Sequence, residues 1–113
     1  MQLFILSPAI LALRLPSSFG AAQAGAFRDS IRKALMRAPR ELLIDCSQLS
    51  YIDSTGLGLL ALAQGEATRV ASQVKLANVM NTHVQNLLEL MQYQQLFPLV
   101  RHTIPNHAEL VTA

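Results

Sequence analysis

Glu41-Leu42-Leu43-Ile44-Asp45-Cys46, then Asp53-Ser54-Thr55-Gly56-Leu57-Gly58, then Leu59-Leu60-Ala61-Leu62-Ala63-Gln64 form the stretch whose reading decides the fold. The first segment is a near-continuous apolar run, as expected of a strand buried on both faces of a sheet. The third reads as a helix, continuing to about Arg69. A short acidic and hydroxyl-rich turn therefore stands at a helix N-terminus. Asp, Ser and Thr are favoured there because their oxygens accept hydrogen bonds from unpaired backbone N–H groups. The same N–H groups and the helix dipole stabilise negative charge. A hydroxyl at this place is a candidate phospho-acceptor, since a phosphate would change a surface without refolding the domain. Turns of this composition also occur as plain helix caps, and the motif by itself fits both roles. Gly56 and Gly58 are poor helix formers. Their place in the first turn fits a tight strand-to-helix turn, close backbone packing or close approach of a partner.

Upstream, Gln2 to Leu6 and Ile10 to Leu15 read as two strands joined as a hairpin across Ser7-Pro8. Pro16 to Gly20 is a loop by composition. From Ala21 to Ala38 the Ala, Arg and Leu content favours helix, with Phe27, Ile31, Ala34, Leu35 and Ala38 on one stripe. Pro39 limits it. Leu59, Leu60, Leu62 and Ala63 are expected to form the apolar face of the second helix. Downstream, Val74 to Val79 is a strand, and Asn81-Thr82 caps a third helix with Val84, Leu87, Leu88 and Met91 inward. Leu96 to Val100 reads as a short edge strand, where Pro98 is tolerated. The order β-β-α-β-α-β-α-β predicts a single α/β domain over residues 1–100. Its sheet should be mixed and mostly parallel, with an N-terminal hairpin and three to four helices. Residues 101–113 read as a polar C-terminal tail, partly helical or mobile.

The 113 residues suit one core. Hydrophobic residues make up 51% and charged residues 14%, which argues against disorder. So few charges leave room for exposed apolar area at an interface, a homodimer among the options. The net charge of +2 is too mild to argue for direct nucleic-acid binding. Five of the nine basic residues, however, fall between Arg28 and Arg40 on one flank of the first helix. That flank is either a solvated helix face or a docking patch for an acidic partner. The single Cys46 is expected to be a buried thiol, and nothing points to an oxidising compartment. His83, His102 and His107 have no metal-ligand spacing, so neither a metal nor a cofactor is expected. The apolar start lacks a basic residue before Arg14 and is too short to span a bilayer; neither a cleaved leader nor membrane insertion is expected. No Gly-x-Ser-x-Gly elbow or phosphate-binding loop is present, so the expectation is not an enzyme.

The stretch Leu42 to Gly58, with its apolar strand ending in Asp45, its polar turn, its hydrophobic pair Tyr51-Ile52 and Asp53-Ser54-Thr55-Gly56-Leu57-Gly58, closely resembles the signature of STAS domains. That family includes sulphate-transporter domains and anti-sigma factor antagonists. Leu87-Leu88-Glu89-Leu90 followed by Leu96-Phe97 resembles its closing segment, and the resemblance covers roughly residues 10–100. It implies a small protein-binding domain of the cytoplasm, without catalytic machinery. In the antagonist branch it implies phosphorylation of Ser54 by a partner kinase that doubles as the anti-sigma factor, and release by a serine phosphatase. Asp53, Ser54, Thr55, Gly56, Leu57 and Gly58 are then the partner-binding segment. Two departures stand out. Where antagonists carry a Gly-Glu-Leu-Asp-like segment, this chain reads Ser17-Ser18-Phe19-Gly20, so Gly20 takes the place of an acidic residue. Tyr93-Gln94-Gln95-Leu96 replaces a Gly-Leu. Relatives lacking parts of the pattern include accessory subunits of lipid-transport ABC complexes, often with Ala where this chain has Thr55. A constitutive subunit of that kind is the alternative reading.

Overall fold

The computed structural model describes residues 1–111. Strand β1 (Gln2–Ser7) turns into β2 (Ile10–Arg14), and the two pair antiparallel with a register shift between Ile5 and Ser7. A two-residue strand β3 (Ser18–Phe19) and a 3-10 turn (Ala21–Gln23) lead into helix α1 (Ala24–Met36). Then follow β4 (Glu41–Asp45), β5 (Tyr51–Ile52), α2 (Ser54–Arg69), β6 (Gln73–Ala77) and α3 (Thr82–Leu90). A second 3-10 turn (Tyr93–Gln95), β7 (Leu99–Val100) and β8 (Glu109–Leu110) complete the order.

The main sheet runs β7-β6-β4-β2-β1-β8. Strands β2, β4, β6 and β7 are parallel, and the hairpin partner β1 and the final β8 are antiparallel to their neighbours. A parallel β3–β5 pair forms a separate small sheet beyond the ends of β2 and β4. The expected mixed α/β domain is thus the observed one, with three α-helices among the described residues.

Alternation along the strands divides two apolar layers. Leu11, Leu13, Leu42, Ile44, Val74 and Leu76 join Phe27, Ile31, Leu60 and Val84 of the helices in the larger core. Phe4, Ala12, Leu43 and Ala77 occupy the other face, against Ile104 and Ala108. Both faces of β4 are therefore covered, which is why its sequence shows an unbroken apolar run.

Several expectations change. Leu62 does not face inward. It follows Leu60 by two residues, about 200° around a 3.6-residue helix, and is 43% exposed, while Leu57 takes an inward place. Met91 is the C-cap of α3, past the inward stripe, and is 51% exposed. Ala38 lies outside α1, with φ of 50°. The loop at 16–20 contains β3. The last strand is shorter than Leu96 to Val100: the Leu96 and Phe97 N–H groups both donate back to Tyr93 O (3.0 Å) to close the Tyr93–Gln95 turn, and the register with β6 begins only at Leu99. The polar segment after residue 100 crosses the helix-free face of the sheet. It is anchored where the Asn78 side chain exchanges two hydrogen bonds with the His102 backbone (2.8 and 2.9 Å), and it adds β8 to β1. Thr112 and Ala113 of the expected tail lie outside the described residues.

All three helices end with a left-handed residue that is not glycine: Ala38, Ala71 and Gln92. After α2 the Ser72 N–H donates to Ala67 O (2.9 Å) and the Ala71 N–H to Thr68 O (3.2 Å), a complete Schellman motif.

Candidate functional site

The short β3–β5 sheet builds the site. Asp53 follows β5 with extended backbone, and its Oδ1 accepts from the Gly56 N–H at 2.9 Å, so Asp53 is the N-cap of α2. Its own N–H donates to Phe19 O (3.4 Å), and its carbonyl accepts the first helical bond from Leu57 N–H (3.0 Å). Ser54 is the first residue of the helix and is exposed, as are Thr55 and Gly58. The cap is thus supplied by the neighbouring carboxylate, and the Ser54 hydroxyl is left on the surface. Tyr51, on the outer side of β5, is 53% exposed beside them.

Gly56 and Leu57 lie beneath this rim. A Cβ at Gly56 would collide with the Phe19 carbonyl oxygen and sit 2.8 Å from Ile52 Cγ1. Close packing between α2 and β3 therefore dictates that glycine. Leu57 is 6% exposed within the core, and its carbonyl also accepts from the Tyr93 hydroxyl at 2.7 Å. Gly58 differs: a Cβ there would meet nothing within 4 Å. Of the six residues singled out by sequence, the structure brings Asp53, Ser54, Thr55 and Gly58 to one surface and puts Gly56 and Leu57 under it.

Gly20 adjoins the site directly. A Cβ built on it would collide with Asp53 Oδ2 and lie 2.8 Å from Asp53 Cγ. The Asp53 carboxylate occupies the space that a side chain at position 20 would need.

A second polar cluster was not read from the sequence. Asp45, fully buried at the end of β4, accepts from Arg14 Nε (2.8 Å), Ser47 Oγ (2.9 Å), Ser47 N (3.3 Å) and Asn78 Nδ2 (2.9 Å). Four donors offset the cost of burying a carboxylate. They tie the ends of β2, β4 and β6 beside a cleft of about 410 Å³. An acid closing an apolar strand is the signal that could have revealed it. Next to it, burial and the Asp45 charge push the Cys46 thiol up to about 12.

A family model described as "Mlab, STAS domain" matches residues 6–101. A STAS-domain containing protein of Pseudomonas aeruginosa (strain UCBPP-PA14) is 33% identical over 81 residues, covering 72% of this chain and 76% of that protein. The anti-sigma factor antagonist SpoIIAA in its unphosphorylated form superposes with a TM-score of 0.66 at 22% identity, over 91% of this chain and 88% of its own. The Bacillus cell fate determinant SpoIIAA in the phosphorylated form gives 0.68 at 19% identity, over 90% of each chain. A candidate anti-sigma factor antagonist from Thermotoga maritima gives 0.73 at 17% identity, over 89% and 86%. At these identities the structural likeness is one of fold. The family match, which spans most of the residues and the whole Asp53–Gly58 turn, places this chain in the STAS domain family.

Proposed function

We propose that this chain is an anti-sigma factor antagonist-like binding switch, not an enzyme. Its unphosphorylated form binds an anti-sigma factor that is also a serine kinase. Phosphorylation at Ser54 releases it, and a serine phosphatase restores it, all in the cytoplasm. The observation that carries this reading is the division of labour at the start of α2. Asp53 performs the capping, so the adjacent exposed hydroxyl is not needed for it. Around it, Thr55, Gly58 and Tyr51 form an exposed rim, and the open space over Gly58 lets a partner backbone approach closely. The likeness in fold to SpoIIAA, known in unphosphorylated and phosphorylated forms, supports the same reading.

The test is intact-mass analysis with site mapping on protein from its native cell, across growth conditions, together with Ser54→Ala. One phosphate on Ser54 that varies with condition is the expected result. The variant should fold with stability within about 0.5 kcal/mol of the parent, because an exposed, uncapping hydroxyl is removed, and should hold its partner constitutively. Partner binding that is unchanged by Ser54 phosphorylation would sink the switch.

A second reading, a constitutive accessory subunit of a lipid-transport ABC complex, is favoured by Gly20. The residue that is acidic in the antagonists has no room for a side chain here. The matched family model is also described as Mlab and not by sigma-factor regulation. Absence of any phosphate, with stable co-purification of membrane ATPase subunits, would select it.

A further inference from the structure

The outer surface of α1 and the end of α2 form a cationic face with an apolar crest. Arg28, Arg32, Lys33 and Arg37 are all exposed and spread over roughly half the circumference of α1, at 100° per residue. Arg40 follows the helix, and Arg69 joins from the last turn of α2. These six of the nine basic residues share the face with two acids, Asp29 and Glu66, which leaves three basic residues against five acids elsewhere. The two parts of the molecule therefore carry opposite net charge. At the crest stands Met36, 80% exposed, with Val70 of the next helix at 50%. They flank a shallow groove that also contains Leu35.

We infer that this face docks on an anionic lipid surface. Arg32 and Arg69 line the shallow groove, and Arg28, Lys33 and Arg37 spread beyond it around α1, so the charges as a set do not converge on it. Their complement is thus a broad negative plane and not a single acidic side chain or a peptide laid in a cleft. Basic residues with apolar side chains at the summit match the headgroup layer, where the cations meet lipid phosphates and Met36 and Val70 enter the acyl boundary. No helix among the described residues is long and apolar enough to cross a membrane, so the contact is peripheral. Ser54 lies at the other end of α2, about 22 Å from Arg69 at 1.5 Å per residue. Docking leaves the Ser54 rim free, so the inference does not depend on the proposed switch.

The experiment is flotation of the full chain with vesicles of phosphatidylcholine alone or doped with phosphatidylglycerol, at low and high salt. Binding is expected only with the anionic lipid and should fall as salt screens it. Charge reversal by Arg32→Glu with Arg37→Glu should cut partitioning by more than about tenfold, given about 1 kcal/mol per basic residue near such a surface. Met36→Asp should weaken it further. Arg101→Glu, outside the face, should leave it unchanged, and far-UV circular dichroism should confirm that each variant is folded. Equal recovery with neutral and anionic vesicles would overturn the inference, as would equal loss in Arg101→Glu. Retention on immobilised polyglutamate without vesicle binding would assign the face to an acidic protein and overturn it too.

Discussion

Adding one methyl group at Gly20 should uncap α2. The Gly20 backbone is held on both sides, its N–H donating to Gln23 Oε1 at 2.7 Å and its carbonyl accepting from Gln23 N–H at 3.0 Å. A new Cβ would lie 2.9 Å from Asp53 Oδ1 and closer still to Oδ2. That is well inside the separation of about 3.5 Å at which nonbonded heavy atoms sit comfortably. The carboxylate is the part that can move. Moving it gives up the 2.9 Å bond to Gly56 N–H, a cap worth about 0.5–2 kcal/mol. Gly20→Ala should therefore destabilise by about 1 kcal/mol, net of a smaller gain from a stiffer unfolded chain. Gly20→Asp sets a second carboxylate beside the first and adds about 1 kcal/mol at a separation of about 4 Å in water; salt should shrink that part alone. Urea unfolding of Gly20→Ala, Asp53→Ala and the double variant closes a thermodynamic cycle in which the unfolded-chain contribution cancels. Once Asp53 is gone, the methyl group meets no carboxylate and no cap remains to lose, so the coupling should be about 1 kcal/mol. Additivity within about 0.5 kcal/mol would refute the reasoning. So would Gly20→Asp proving no worse than Gly20→Ala at low salt.

Three further outcomes follow from the packing. Leu59→Ala, at a site 4% exposed, should cost about 2–5 kcal/mol, and Leu62→Ala less than about 0.5 kcal/mol, in the same urea assay. Ala71→Gly should stabilise by about 0.5–1 kcal/mol, because the left-handed residue closing the Schellman motif would no longer carry a Cβ. Burial raises the Cys46 thiol to about 12 and also raises the Tyr93 hydroxyl, so the folded state holds both protons more tightly than the unfolded chain. Their contribution is complete below the ordinary thiol pKa of about 8.5 and is lost as pH rises towards 12. Unfolding midpoints should fall over that range, and less steeply in Cys46→Ala.

The elements whose chemistry is local were legible in the sequence. The apolar β4, the Asn81 cap and the Asp-Ser-Thr-Gly turn could each be placed from neighbouring residues alone, whereas the turn's composition does not say which of Asp53, Ser54 and Thr55 caps α2. What escaped depends on contacts distant along the chain. β3 is two residues long and exists because Ser18 and Phe19 pair with Tyr51 and Ile52. β8 has no apolar alternation of its own and is ordered by the edge of β1. The helix ends carried no glycine signal, since Ala38, Ala71 and Gln92 take the left-handed position that glycine usually fills. Leu62 was misplaced for a related reason. In a run as apolar as Leu57 to Ala63, composition does not say which side faces the sheet. At the site, Gly20 could be seen to depart from a pattern, but only the fold shows Asp53 resting in the vacated space.

The same geometry decides where a phosphate on Ser54 would act. It would carry a charge of about −1.5 to −2 on the residue next to Asp53, and charges that close repel by about 1 kcal/mol in water. Asp53 cannot swing away cheaply, because its carboxylate is engaged with Gly56 and packed on Gly20. Against this, the N-terminus of α2 attracts an anion by about 0.3–1 kcal/mol. The two effects nearly cancel, and the residue is small beside the 5–15 kcal/mol that holds a domain together. The modification would therefore leave the fold standing, and its leverage would fall on whatever covers the rim. A partner packed over Ser54, Thr55 and Gly58 would have to strip water from a dianion, a cost of several kcal/mol unless its own cations pair with it. A switch built this way needs no moving part in the domain: the cap stays made, and the surface gains negative charge.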